Sequence, residues 1–245
     1  MGWLSIPRVP EPEIMDTDEE VDAYSSAAAQ SYLESIDRTF VEHVARLIEP
    51  PGRTGGRALD FGCGPGQIQI MMARRWPDLR FTGLDAGPNM IEKARLDAAE
   101  AGVETEFEVL RLGPHGEPSL PFPDAEFDLV TCNSVLHHLD DPTGTLNELA
   151  RVAKPDGAVL LRDLLRPPGF SYSLHVRFFG RHYSGEMRRL YEASVRAAYT
   201  TGELKLMLRE SALNDGRTKV FRRGLTHAGI ARPALERTER AWWTV

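Results

Sequence analysis

The feature that most limits what this chain can fold into is a series of short apolar runs, each opening into a turn and then into a segment of helical periodicity. The clearest is RALDF at residues 57 to 61, which enters Gly62-Cys63-Gly64-Pro65-Gly66 and then a helical segment over residues 67 to 75. A second strand over residues 79 to 85 leads through Ala86-Gly87 to Pro88, a residue suited to a helix's first position, and a helix to about residue 101. Residues 104 to 110 read as a third strand, followed by a Gly/Pro loop reaching Pro123, and FDLVTCN at residues 127 to 133 reads as a buried fourth. Asp141 and Pro142 suit the N-cap and first turn of a helix that stops before Lys154-Pro155-Asp156-Gly157. AVLLRDLL, residues 158 to 165, is a fifth strand whose unbroken apolar character fits burial on both faces of a parallel sheet. KVFRR and HAGIAR near the end supply two more. Strands alternating with helices imply an α/β fold with a doubly wound, mostly parallel, seven-stranded sheet.

Outside this core, residues 1 to 22 are rich in proline and acid, with Arg8 the one basic residue, and read as an extended arm. Tyr32, Ile36, Phe40, Val44 and Leu47 recur at helical spacing in a helix over residues 24 to 48 that Pro50-Pro51-Gly52 ends. After the fifth strand, residues 169 to 199 form a helical insert with Met187, Leu190, Tyr191, Ser194, Val195 and Ala198 on one face, and a further helix covers residues 202 to 211. The expected organisation is an acidic arm and helical cap at 1–52, a core at 53–168, a helical insert at 169–200, and a last helix with the final strands and tail, including Trp242 and Trp243, at 201–245.

The length of 245 residues suits one large domain with terminal additions, and the net charge of −7 argues against a nucleic-acid partner held by a general positive field. Cys63 and Cys132 have no CxxC spacing and no spaced histidines near them, so no metal site is expected. The N-terminal stretch lacks a basic region followed by an apolar run, and no segment approaches the roughly 20 apolar residues of a membrane span. A cytoplasmic location is expected, with the oligomeric state, homodimer included, left open.

In such a sheet, ligands bind at the carboxyl ends of the strands where the strand order reverses. Three glycines after the first strand allow tight turning and close backbone approach, and Asp85, about twenty residues on, stands where an acid meets ribose hydroxyls. A dinucleotide fingerprint needs its third glycine at position 67; Gln67 stands there and the glycine is at 66, which disfavours an NAD(P)-dependent oxidoreductase.

ALDFGCGPG, GLDAGPNMIEKA, FDLVTCNSVLHHLDD and LARVAKPDGAVLLRDLLRP, in this order and spacing, resemble the class I S-adenosylmethionine-dependent methyltransferases, which have a Rossmann-like fold. Within them the chain is similar to the ubiquinone and menaquinone methyltransferase branch, from about residue 57 to 167. The resemblance implies S-adenosylmethionine as cofactor and a small-molecule acceptor, methylated at O, N or C. Asp60, Gly62, Cys63, Gly64 and Gly66 are set against the methionine and ribose part, Asp85 and Ala86 at the ribose, and Met90 by the adenine. Asn133, Ser134 and His138 fall at the methyl-transfer side. Family members carry an acid after the third strand for the adenine amino group; Arg111 stands there instead, which leaves backbone groups of Arg111 and Leu112, or Glu117, as substitutes. The rival from a different class is a non-catalytic S-adenosylmethionine-binding module.

Asp163 and Arg162 end an otherwise apolar strand and need a partner or a task, and His137-His138 follow the fourth strand. Asp163, His137, His182 and Tyr183 are the candidate proton acceptors, in a methyl transfer that needs no metal. Residues 162 to 196 also hold seven arginines, at 162, 166, 177, 181, 188, 189 and 196, and no lysine. From this island Arg177, Arg181 and His175 are the expected acceptor contacts, and the acceptor is expected to carry negative charge. Cys63 and Cys132 read as packing residues beside the turn and strand.

Overall fold

A computed structural model describes residues 6–11, 16–17, 19, 21, 31–48, 55–113 and 118–235. Helix α1 (Ser31–Ile48) precedes β1 (Arg57–Phe61), α2 (Gln67–Arg75), β2 (Arg80–Asp85), α3 (Pro88–Ala101), β3 (Glu106–Val109) and β4 (Phe127–Asn133). Then follow α4 (Pro142–Val152), β5 (Ala153–Leu164), α5 (Tyr172–Phe179), α6 (Gly185–Ala197), α7 (Thr201–Glu210), β6 (Lys219–Arg223) and β7 (His227–Arg232). The seven strands form one sheet in the order β3-β2-β1-β4-β5-β7-β6, with β7 antiparallel to both of its neighbours and the other pairs parallel. The strand order reverses at β1, so the crevice that accepts a ligand lies at the carboxyl ends of β1 and β4.

Adjacent residues on the central strands bury opposite faces of the sheet. Leu59, Val130, Leu161 and Ile230 pack with Leu146 and Leu149 of α4 and Leu204 and Leu208 of α7. Their neighbours Ala58, Leu129, Leu160 and Ala231 pack with Phe40, Val44 and Leu47 of α1 and Met72 and Ala73 of α2. This two-sided burial is the reason the strands read as continuous apolar runs.

Local signals set the helix ends. The Asp141 side chain accepts a 2.8 Å bond from the Gly144 amide, and Pro142 opens α4. Thr200 and Glu203 form a reciprocal capping box on α7. Among the described residues, boundaries differ from the sequence expectation by more than one residue in three places. The third strand shrinks to four residues, because Leu110 leaves the ladder after its amide bonds to the Asp85 carbonyl. The fifth strand starts at Ala153, since Lys154-Pro155-Asp156-Gly157 forms an irregularity in register with β4 instead of an open turn. The insert divides into α5 and α6, with three residues, Gly180–His182, in a 3-10 turn between them. Residues 24 to 30 of the expected first helix, Glu117 and Trp242-Trp243 lie outside the described residues. Among the described residues no helix is long and apolar enough to cross a membrane.

Candidate active site

A cleft of about 420 Å³ opens at the carboxyl ends of β1, β2 and β4 and extends under α1 and α6. Its floor is the turn after β1. Gly62 and Cys63 donate their amides to the Leu84 carbonyl at 2.7 and 2.9 Å, which ties the turn to β2. Gly62 has φ +71°, and a Cβ there would stand 2.2 Å from Val135, so only glycine fits this bend. Gly64 is also left-handed, at φ +52°, but faces open space. Gly66 does not line the cleft: it lets Phe107 and Ala94 pack against the turn from behind.

Two acids line this end. Asp85 accepts the amides of Gly64 at 2.8 Å and Gly87 at 2.9 Å, one on each carboxylate oxygen, which leaves a lone pair on each for hydroxyl donors. Asp60 is buried at the end of β1, where desolvation first, and then the charge of Asp85, push its carboxyl up to about 7 against the pull of a Thr131 hydrogen bond. The Thr131 hydroxyl has one proton for two acceptors, Asp60 at 2.8 Å and the Leu59 carbonyl at 3.1 Å. Among the described residues no cation acts on Asp60. Burial likewise pushes up the thiols of Cys63 and Cys132, in keeping with packing residues.

Ala86, Met90, Arg111 and Leu112 continue the wall, and Arg111 donates through Nε to the Ala86 carbonyl at 3.3 Å. Asp16, from the N-terminal arm, accepts the Asn89 amide at 2.9 Å and the Met90 amide at 3.3 Å, capping α3 beside this wall. On the β4 side, Ser134 holds φ +59°, a strained setting for a residue with a side chain. Asn133 accepts from Arg162 Nε at 2.9 Å, and the Arg162 guanidinium also reaches the Ile36 carbonyl and Thr39 of α1. Arg162 therefore joins the cap to the sheet from a buried position.

His137 and His138 also line the cleft. Asp163, fully buried beneath them, accepts the His137 amide at 3.0 Å and His137 Nδ1 at 2.6 Å. His137 Nε2 lies 3.4 Å from the Glu11 carboxylate, and Arg8 donates to the His137 carbonyl at 2.7 Å and to the Ala197 carbonyl at 2.6 Å. Glu11, His137 and His138 bring one metal-binding atom each within 4.8 Å of one another. Burial opposes a proton on His137, but the Asp163 charge and hydrogen bond, then Glu11, outweigh it and raise the imidazole above its ordinary range, while Arg8 pulls the other way.

Of the other expected residues, Tyr183 lines the cleft, whereas His175, Arg177, Arg181 and His182 do not. His182 is exposed and stacks on Tyr32, with ring centroids 4.1 Å apart. His175 is buried against Phe179. The arginine island is dispersed: Arg166 pairs with Glu203, Arg188 with Glu192 and Arg189 with Glu186. Sequence reasoning missed Leu33, Asp37, Thr226 and His227 in the lining, together with the reach of Arg8, Glu11 and Asp16. Tyr32, Ile36, Met187, Leu190, Tyr191 and Ser194, which the helical stripes had marked as inward-facing, line the far end. The Tyr191 hydroxyl there is buried with no hydrogen-bond partner among the described residues.

Residues 59–161 match a family model described as a methyltransferase domain. The chain is similar to the ubiquinone biosynthesis O-methyltransferase of Xanthomonas axonopodis pv. citri (strain 306), at 33% identity over 57% of this chain and 54% of that one. The protein of the same name from Aeromonas salmonicida (strain A449) is 37% identical over 48% of this chain and 47% of its own. The chain thus spans about half the length of the curated relatives it matches. Among solved structures, the plantazolicin methyltransferase BpumL in complex with SAH has a TM-score of 0.67 at 14% identity, over 88% of this chain and 90% of that one. The [4+2]-cyclase SpnF has a TM-score of 0.61 at 19% identity, over 89% and 76%. The domain match and the reversal of the sheet at the glycine turn agree: residues 59–161 are similar to a methyltransferase domain, on a fold shared with these solved structures.

Proposed function

We propose that the protein transfers a methyl group from S-adenosylmethionine to a small-molecule acceptor. The observation that carries this reading is the buried Asp60, which stands with Asp85 at the cleft floor and has no cationic partner among the described residues. A site of that kind is completed by a cationic ligand, and S-adenosylmethionine carries a sulfonium and an ammonium. When bound, it supplies an activated methyl group. Asp60 and the glycine turn would hold its amino-acid end, Asp85 the ribose hydroxyls, and Met90, Arg111 and Leu112 the adenine edge. The chain's own part in the reaction is to orient the two partners and exclude water, which supplies much of the acceleration for a displacement that neutralises charge.

The acceptor fits the end of the cleft formed by α1 and the 169–200 insert. Its walls there are Leu33, Ile36, Leu164, Met187 and Leu190, and the Tyr191 hydroxyl is buried there without a partner among the described residues. Room for an acceptor in the same cleft, beyond the glycine turn, favours an enzyme over a binding module. A proton released from the acceptor goes to the wall that holds His138, Tyr183 and His137, with Asp163 as the positioning residue beneath His137 and no metal required. The enzyme works in the cytoplasm in this reading. The test is calorimetry with S-adenosylmethionine and S-adenosylhomocysteine, followed by a product-release assay across phenols, carboxylic acids and amines. Micromolar binding that Asp60→Asn weakens is the expected result, and absence of binding by the wild type overturns the reading.

A further inference from the structure

Among the described residues, Arg111 is the one arginine that lines the cleft and no lysine does, and Arg111 belongs to the wall assigned to the adenine. The other end carries the opposite sign. Asp37 lines it from α1 and is 8% exposed. The Arg162 guanidinium attracts its charge but donates to Asn133, the Ile36 carbonyl and Thr39, and the two form no ion pair. Burial pushes the Asp37 carboxyl up to about 6 against the pull of Arg162, with a further push from Glu34. Of the lining histidines, His227 on β7 is held well below the imidazole range by burial, then by Arg162 and Arg223, and His137 is matched by Asp163. Arg181 lies outside the lining, its guanidinium 4.2 Å above the Phe178 ring. Three tyrosines stand on the same walls as Asp37. Tyr183 meets Tyr32 edge to face with centroids 6.0 Å apart and Tyr191 with centroids 5.1 Å apart, so the three rings form one contiguous group. Tyr32 and Asp37 are separated by about 7.5 Å along the axis of α1.

We propose that this end of the cleft binds an ammonium group, with the Asp37 carboxylate as its counter-ion and the rings of Tyr32, Tyr183 and Tyr191 as its walls, so that the acceptor is an apolar amine. The inference rests on the reaction proposed above, in which Asp60 serves the cofactor; the cation at Asp37 is a second one. A buried carboxylate without a paired cation is costly, and an ammonium removes that cost while its carbon substituents meet aromatic faces whose quadrupole attracts positive charge. The Tyr191 hydroxyl, which has no partner among the described residues, can accept an N–H of the same group. Leu33, Ile36 and Met187 offer apolar surface to the rest of the molecule. An anionic acceptor, the expectation drawn from the arginine-rich stretch, meets the reverse situation: its charge would be buried beside Asp37 with no arginine or lysine at that end to pair with. The compartment therefore selects by charge as well as by shape.

The test is an NMR titration of the full chain, with and without S-adenosylhomocysteine, using three probes of similar shape: phenethylamine, 2-phenylethanol and 3-phenylpropionate. It is run at a pH of about 8, where Asp37 is ionised and the amine is protonated. Phenethylamine is expected to bind about tenfold more tightly than the alcohol, and the carboxylate most weakly. Asp37→Asn is expected to abolish the preference for the amine over the alcohol, and Tyr191→Leu to weaken amine binding more than Tyr191→Phe, which keeps a ring in place. Binding of S-adenosylhomocysteine, measured separately by calorimetry, is expected to be the same in all three variants. The proposal is overturned if the wild type binds the three probes equally, prefers the carboxylate or binds none of them, or if Asp37→Asn keeps the preference for the amine. Failure of the proposed reaction reads differently: S-adenosylhomocysteine does not bind, while the amine preference and its loss in Asp37→Asn still support the ammonium site.

Discussion

Asp85 stands beside Asp60 at the carboxyl ends of β2 and β1, and its negative charge adds to burial in keeping a proton on Asp60 up to a pH of about 7. In the unfolded chain the same carboxyl titrates near 3.8. Between these values the folded protein holds a proton that the unfolded one has lost, so Asp60's contribution to stability is full in acid, declines as pH rises through this window and levels off above it. A cationic ligand at the cleft floor favours the ionised form. S-adenosylmethionine binding is therefore expected to tighten as pH rises from about 6 to about 8 and to release a proton. Calorimetry in buffers of different ionisation enthalpy measures that proton directly; Asp60→Asn is expected to abolish its release.

The double use of Asp85 gives a second expectation. Asp85→Ala removes the acceptors of the Gly64 and Gly87 amides together with those offered to a ribose. The loss is expected to cost about 1–3 kcal/mol of binding, a roughly five- to 150-fold change in affinity. A lower thermal midpoint is expected alongside, because the turn loses its tie. Unchanged affinity in a folded variant would refute the role.

Gly62 and Gly64 differ in a way that substitution resolves. Both are left-handed, a conformation that costs an L-residue about 1–2 kcal/mol. Alanine at 62 also drives a methyl group into Val135, adding about 1–3 kcal/mol of overpacking, whereas alanine at 64 meets nothing within 4 Å. Chemical denaturation is expected to show Gly62→Ala well below Gly64→Ala in stability, and equal losses would contradict the packing described.

His137 is expected to titrate above the ordinary imidazole value, because the carboxylates of Asp163 and Glu11 outweigh burial and Arg8. Its charged form then contributes stability at low pH that is lost as pH rises through the folded value. Glu11→Gln is expected to lower that value, and Asp163→Asn to lower it further, as followed by the imidazole C–H resonances. A raised His137 imidazole sets a proton in competition with a metal ion for the same nitrogen, and chelator treatment is expected to leave turnover unchanged. Activity that disappears with chelator and returns with a divalent ion would refute the metal-free reading.

The sheet was legible because each central strand buries both faces, so that FDLVTCN and AVLLRDLL stand out as apolar runs, and because glycine and proline mark the turns between them. Asp60, Asp85, Gly62 and Gly64, which line the cleft, were legible because they follow strand ends where a ligand can approach, whereas Gly66 packs against Phe107 and Ala94 instead. Arg177 and Arg181 misled as acceptor contacts because side-chain chemistry does not reveal which way a short helix turns: the inward side of α5 went to Val176 and the arginines went outward. Glu11 could not be connected with His137 from sequence at all. Their proximity depends on where the arm crosses the body, and no periodic pattern records that.

The arm has a kinetic consequence. Arg8 is tied to the wall that carries His137, and Asp16 to the helix that carries Met90, so one short stretch of chain is fastened on two sides of the same cleft. A ligand seated there and a docked arm stabilise each other by equal amounts. Under the proposed reaction, the residence time of product, more than the speed of the methyl transfer, is then expected to depend on the hydrogen bonds of residues 8 and 16, which touch neither reactant.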